Sequence, residues 1–260
     1  MSCEDDLSGT IAVLPLLAIP DIHAGDDLGA ILLDAIRRSS IVPTAGDALV
    51  VAQKIVSKAE GRCASLADVS PSTQARDLAK ITRKDPRLVE LILRESVCVM
   101  RAVPDVLIVR HRLGLVMANA GIDQSNVGGS EEDVLLLPLD PDASAARLRQ
   151  ALAESVGTPP AVIVSDSFGR AWRLGTVNIA IGAAGLPSLL DRRGERDRYG
   201  RVLESTEIGL ADAIAAAAGL AMGEGAEGRP AVLVRGVTWA SLREQPASAL
   251  TRSRATDLFQ

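Results

Sequence analysis

The feature that most narrows the fold is an alternation of short β-branched runs with helical stretches along nearly the whole chain. "IAVLPL" reads as a strand, and "DDLGAILLDAIRR" as an amphipathic helix with Leu28, Ile31, Leu32 and Ile36 on one face. "DALVVAQKIVS" reads as a strand running into a charged loop, "KAEGR". Ser70-Pro71 and Asp85-Pro86 each set a capping side chain before a first-turn proline, predicting helices after both. "VCVMRAV", "VLIVRHR" and "LGLVMANAG" predict an antiparallel meander. Asp140-Pro141-Asp142 opens a helix through about Val156, and Gly157-Thr158-Pro159-Pro160 precedes the strand "AVIVS", with the Thr158–Pro160 break the best hinge candidate. A meander combined with helices predicts α+β, with mixed, largely antiparallel sheets, rather than a doubly wound sheet.

With 260 residues, the chain can bury a large core as one unit over 1–260, or as two intertwined lobes. Apolar residues make up 47% and aromatics only 2%, so the core is aliphatic and stacking platforms for single-stranded nucleic acid are not expected. A net charge of −5 also argues against a nucleic-acid surface. Cys3, Cys63 and Cys98 lack the spacing of a disulfide framework or a structural zinc site. The acidic start "MSCEDDL" is unlike a signal peptide, and "IAVLPLLAIP" is too short to span a bilayer, so a cytoplasmic protein is expected. The two histidines, His23 and His111, read as structural. Any chemistry then falls to carboxylates, lysine and metal ions.

Four polar stretches stand out. In "VSKAEGR", Lys58 is either a solvated hairpin tip or an ammonium on phosphate. "ANAGIDQSN" gathers Asn119, Asp123, Ser125 and Asn126, which suits a turn or a hard-cation site. "VSDSFGRAWRLG" puts Asp166 and Ser167 just after an apolar strand, followed by Arg170 and Arg173. "DRRGERDRYGR" carries Arg192, Arg193, Arg196, Arg198 and Arg201 among acids, either self-paired or anion-binding. Gly223-x-Gly225-x-x-Gly228 imitates a dinucleotide fingerprint, but the alanine-rich helix lies before it and the strand "AVLVRG" after it. That order is the reverse of a Rossmann unit, which excludes a dinucleotide oxidoreductase and leaves either a plain turn or a phosphate loop. Gly223 fits a left-handed helix C-cap.

Taken together and in order, "GDALVVAQKIVSKAEGR", "NAGIDQSN", "LLPLDPDASA", "SDSFGRAWRLG", "DRYGRVLESTE" and "LAMGEGAEG" resemble the coenzyme F420:L-glutamate ligases over about residues 11–236. The resemblance implies an α+β fold that is not a P-loop fold, a homodimer, and GTP-dependent γ-ligation of L-glutamate to a deazaflavin coenzyme precursor. It also implies two magnesium or manganese ions, with potassium left open as a further ion. Ile19, Pro20, Asp21 and Ile22 would contact nucleotide, as would Gln53, Lys54, Lys58, Asn126 and the run Leu220, Ala221, Met222, Gly223, Glu224, Gly225, Ala226 and Glu227. Asp123 and Asp166 would share one metal, and Ser167 and Glu224 the second. Asp123, Asp166 and Lys58 would carry the chemistry. The flavin-binding domain that follows in some relatives is not expected. A ligase for another carboxylate acceptor and a non-catalytic nucleotide-binding regulator are the alternatives.

Overall fold

The computed structural model describes residues 9–125, 127–156, 159–239 and 243–257. Its first elements are β1 (Ala12–Pro15), α1 (Leu28–Arg38), β2 (Ala48–Ala52), α2 (Gln53–Ala59), β3 (Cys63–Ser65), α3 (Thr73–Thr82) and α4 (Pro86–Arg94). The antiparallel meander follows as expected: β4 (Ser96–Val103), β5 (Val106–His111) and β6 (Val116–Ala118). Next come β7 (Asp133–Leu135), α5 (Pro141–Val156), β8 (Ala161–Arg170), β9 (Arg173–Ala184), β10 (Leu189–Asp191), β11 (Glu207–Gly209), α6 (Leu210–Met222) and β12 (Ala231–Arg235). The fold is α+β, with mixed and mostly antiparallel sheets.

The main sheet has the order β1-β12-β2-β8-β9, in which only β2 and β8 pair in parallel. As a central strand, β2 is apolar on both faces. Leu49 and Val51 join a core with Leu32, Ile36 and Leu152, while Ala48 and Val50 join one with Ile214 and Ala218. Thus α1, α2 and α5 cover one face and α6 the other. Pro15 lies on the edge strand, where its missing N–H costs no ladder bond. A third core, with Leu88, Ile92, Leu107 and Val134, joins α3 and α4 to the meander and to the β3–β7 pair.

Local chemistry explains most element ends. Asp27 accepts the Ala30 N–H at 3.0 Å and caps α1, and Asp85 accepts the Arg87 N–H at 2.7 Å and caps α4. Three expectations shift. Residues 53–59 form helix α2 rather than a strand and loop, because burying Ile55 and Val56 outweighs their β preference. The helix after Pro71 is capped by Ser72, not Ser70; its hydroxyl accepts the Ala75 N–H at 3.2 Å. Asp166 and Ser167 lie within β8, which continues to Arg170 before turning into β9.

Gly223 has the expected positive φ of 73°, but its ψ of 176° is extended rather than left-handed helical. Thr158 of the hinge candidate lies outside the described residues. His111 is fully buried; its Nδ1 accepts the Leu113 N–H at 3.0 Å and its Nε2 stops 3.5 Å from Glu95. His23 is exposed, 3.8 Å from Asp26. Arg192 and Arg193 pair with Glu195 and Asp191, in line with a self-paired stretch. Among the described residues no helix is long and apolar enough to cross a membrane.

Candidate functional site

In the main sheet β1, β2 and β8 run in one direction, and their C-terminal ends open onto a cavity of about 420 Å³. Strand ends suit a site because the backbone leaves the ladder there and loops from separate segments converge. The first wall is the segment after β1, with Ile19, Pro20, Asp21 and Ile22. Helix α2 supplies Gln53, Lys54, Ile55 and Lys58, while its buried Val56 packs into the core. Gln53 is buried, and its Oε1 accepts the Ser57 hydroxyl at 2.9 Å. Strand β8 contributes Asp166 and Ser167, and the far wall runs from Met222 through Gly223, Glu224, Gly225, Ala226 and Glu227 to Pro230.

Lys58 therefore projects from the last turn of a helix, not from a hairpin tip. Leu220, 89% exposed, and Ala221 belong to α6 and are not among the residues lining the cavity. Asn126 lies outside the described residues. The cavity is also lined by Ala52, Ile55, Ser165, Gly228, Arg229, Pro230 and Asn178 of β9, none of them named as a site residue from the sequence; the Asn178 side chain packs against Gly219 of α6. A lone amide inside the apolar run "TVNIAIG" was the available signal.

Asp123 reaches the site through Lys54. Asn119, Ala120 and Gly121 take φ of 52°, 54° and 67°, a left-handed turn that redirects the chain after β6. Asp123 and Leu135 then exchange backbone hydrogen bonds of 3.0 and 2.8 Å. The Asp123 carboxylate meets Lys54 Nζ at 2.6 Å and accepts the Ser125 N–H and hydroxyl at 2.7 and 2.8 Å. Burial pushes its pKa up, but Lys54 and Ser125 more than offset this and hold it below the usual carboxylate value.

Asp166 differs. Burial is the main cause that pushes it up to about 7, opposed by the Ser167 N–H at 2.9 Å. The charges of Asp123 and Glu224 raise it further, and that of Lys54 lowers it. Asp166 thus feels two neighbouring carboxylates, Glu224 on the cavity wall and Asp123 behind Lys54, against the single charge of Lys54.

The glycine loop is folded around a carboxylate of its own. Gly225 N–H donates to Glu227 Oε2 at 2.8 Å, and a Cβ on Gly223 would lie 2.2 Å from Glu227 Cδ. The turn is therefore shaped to hold an anion against backbone. Among the described residues no group of three or more His, Cys, Asp or Glu side chains is placed to hold one metal ion. The donors near the cavity are Asp123, Asp166, Ser167 and Glu224, all oxygen. That set fits a hard cation which fills its remaining positions from water or phosphate.

A family model described as F420-0:Gamma-glutamyl ligase matches residues 16–236. The chain is similar to the coenzyme F420:L-glutamate ligase of Methanothermobacter thermautotrophicus, at 45% identity over 96% of this chain and 99% of the relative. It is likewise similar to the coenzyme F420:L-glutamate ligase of Methanopyrus kandleri, at 44% over 96% and 98%. The same-named protein of Archaeoglobus fulgidus is 41% identical over 96% of each chain.

Proposed function

Since the chain belongs to the F420-0:gamma-glutamyl ligase family, we propose that it joins L-glutamate, through the glutamate amine, to a carboxylate of the deazaflavin precursor F420-0, using GTP, with γ-linkage where a further glutamate is added to the first. The observation that carries this reading is the cavity at the ends of β1, β2 and β8, which brings Lys58, Asp166, Ser167 and the glycine loop together. The reading also takes the protein to act as a homodimer.

An ionised carboxylate is a poor electrophile because resonance and negative charge both repel an amine. Attack of the acceptor carboxylate on the γ-phosphorus releases GDP and forms an acyl phosphate. The glutamate amine then attacks the carbonyl carbon, the C–O bond to phosphate breaks, phosphate leaves, and the amine proton is lost. Two like charges ~4 Å apart repel by roughly 4 kcal/mol at an effective dielectric of ~20, so the first step needs positive charge and alignment.

Lys58 supplies a point charge for the phosphates, and the glycine turn, whose Gly225 N–H holds the Glu227 carboxylate, would offer that N–H to a phosphate in the carboxylate's place. The Ile19–Ile22 segment and Gln53 bound the nucleotide. Lys54 and Ser125 fix the rotamer of Asp123. Asp123 with Asp166, and Ser167 with Glu224, would hold two magnesium or manganese ions, which when bound neutralise phosphate charge and align the reacting oxygens. The experiment is incubation of purified protein with GTP, manganese, L-glutamate and F420-0, followed by mass spectrometry. Added glutamyl mass that depends on GTP supports the proposal. Unchanged precursor, with GTP binding intact, moves the reading to another carboxylate acceptor.

A further inference from the structure

Beyond the cavity, β8 and β9 continue as a two-stranded arm. Residues 169–176 are all exposed, and Arg170 and Arg173 face each other across the last rung before the Ala171-Trp172 turn. Trp172 is 84% exposed and Leu174 98%, in a chain with only two tryptophans. Exposing an indole forgoes the burial that normally rewards so large an apolar surface. Trp172 also has a φ of +59°, a conformation rare for a bulky side chain and costly to hold. The ladder shifts register between Gly169 and Arg170, leaving Leu174 and Gly175, the latter at φ +81°, unmatched across the arm. The Arg170 Nη2 donates to the Leu174 carbonyl at 3.0 Å, which ties the tip together. Among the described residues neither Arg170 nor Arg173 forms an ion pair with a carboxylate.

The arm grows from the strand that carries Asp166 and Ser167. Four residues separate Asp166 from Arg170, roughly 13 Å at about 3.3 Å per residue. A substrate with its reacting carboxylate beside Asp166 and a planar ring at least about 13 Å farther on would place that ring at the tip. It would also lay any anionic linker along the two guanidinium groups.

We infer that the 169–176 arm is the recognition element for an aromatic, anionic acceptor: Trp172 stacks on its planar ring, and Arg170 and Arg173 pair with its linker. The inference rests on the ligase reading above and names the residues that select its acceptor. Aromatic stacking tolerates ring substituents, and guanidinium groups add planar, charge-assisted contacts. A second copy of the chain covering the same tip is the competing occupant.

The test is equilibrium titration of the full-length protein with the tail-free deazaflavin precursor, and separately with GTP. The variants are Trp172→Ala, Trp172→Phe and the double variant Arg170→Ala/Arg173→Ala, each with its mass in solution measured by light scattering. The expected result is a loss of precursor affinity of about tenfold for Trp172→Ala, with Trp172→Phe within about threefold of wild type. The arginine variant should also bind precursor more weakly and lose salt sensitivity. GTP affinity and mass should stay unchanged in all three. Equal precursor affinity in wild type and Trp172→Ala overturns the inference while leaving the ligase reading intact. A loss that comes with a change in mass overturns it in favour of the second copy. Failure of the wild-type protein to bind precursor at all overturns both readings.

Discussion

Lys54 of α2 and Asp123 of the turn after β6 form an ion pair of 2.6 Å, which ties the helix lining the cavity to a loop that does not line it. Both side chains remain about 30% exposed, 30% and 28%, so solvent screens the pair and its share of stability is small. Asp123→Asn is expected to cut GTP-dependent ligation by at least about a hundredfold while costing stability on the order of 1 kcal/mol. Ligation rates and a urea titration on one preparation check both halves. Near-normal turnover would remove Asp123 from the chemistry.

Asp166 should behave in the opposite way toward stability. Its carboxylate is half-buried at the cavity and is repelled by Asp123 and Glu224. Asp166→Asn removes that repulsion, so the metal-free variant should melt a few degrees higher than wild type and yet be inactive. Calorimetry in chelator checks the first outcome and mass spectrometry of the product the second. A lower melting temperature would mean that Asp166 is chiefly structural.

Gly223 combines a positive φ with a Cβ position already filled by the Glu227 carboxylate. Gly223→Ala should therefore force the 223–228 turn to move and weaken GTP binding about tenfold or more. The fold should tolerate the change, because the turn is exposed. Isothermal titration with GTP, alongside a thermal melt, would show whether the effect is local.

Glu95 anchors a knot remote from the cavity. Its carboxylate meets Arg62 at 2.9 Å, Arg112 at 3.0 Å and His111 at 3.5 Å. Burial pushes it up, but His111, Arg62 and Arg112 together hold it at about 2, below its ordinary 4.5. A depressed carboxylate stabilises the fold fully above pH 4.5 and loses that contribution as pH falls through about 2. Glu95→Gln should destabilise by roughly 3 kcal/mol at pH 7, and the gap from wild type should narrow toward pH 3. Denaturation midpoints at the two pH values decide it, and a pH-independent gap would reject this assignment.

Asp142 takes three backbone N–H groups: Ala183 at 2.8 Å, Ala247 at 2.7 Å and Ser248 at 3.2 Å. It thereby pins the 246–250 segment to edge strand β9. Asp142→Ala should speed amide exchange at Ala247 and Ser248 well before it affects β2 or β8. Uniform acceleration across the chain would instead indicate global destabilisation.

The sequence made the periodic elements legible because burial enforces period: α1, the meander and α5 follow their apolar spacing and caps. It misassigned residues 53–59 because Ile55 and Val56 carry a local β preference that only the assembled core overrides. Asp166 and Ser167 looked like loop residues because polar side chains in mid-strand make sense only once a cavity lies beside them. Asn178 was missed for the same reason, its partners being distant in sequence. Asp123 could be singled out, but its link to Lys54 is a product of tertiary structure alone.

The strand order β1-β12-β2 also sets a timetable. As the ribosome delivers the chain, β1 and β2 emerge early yet have no direct contact in the sheet, and the strand that separates them is made last. The glycine loop lies just ahead of that strand. A nascent chain therefore holds an unfilled gap between β1 and β2 until about residue 235 is free of the exit tunnel, and a site that needs the loop before β12 should be completed only at that length.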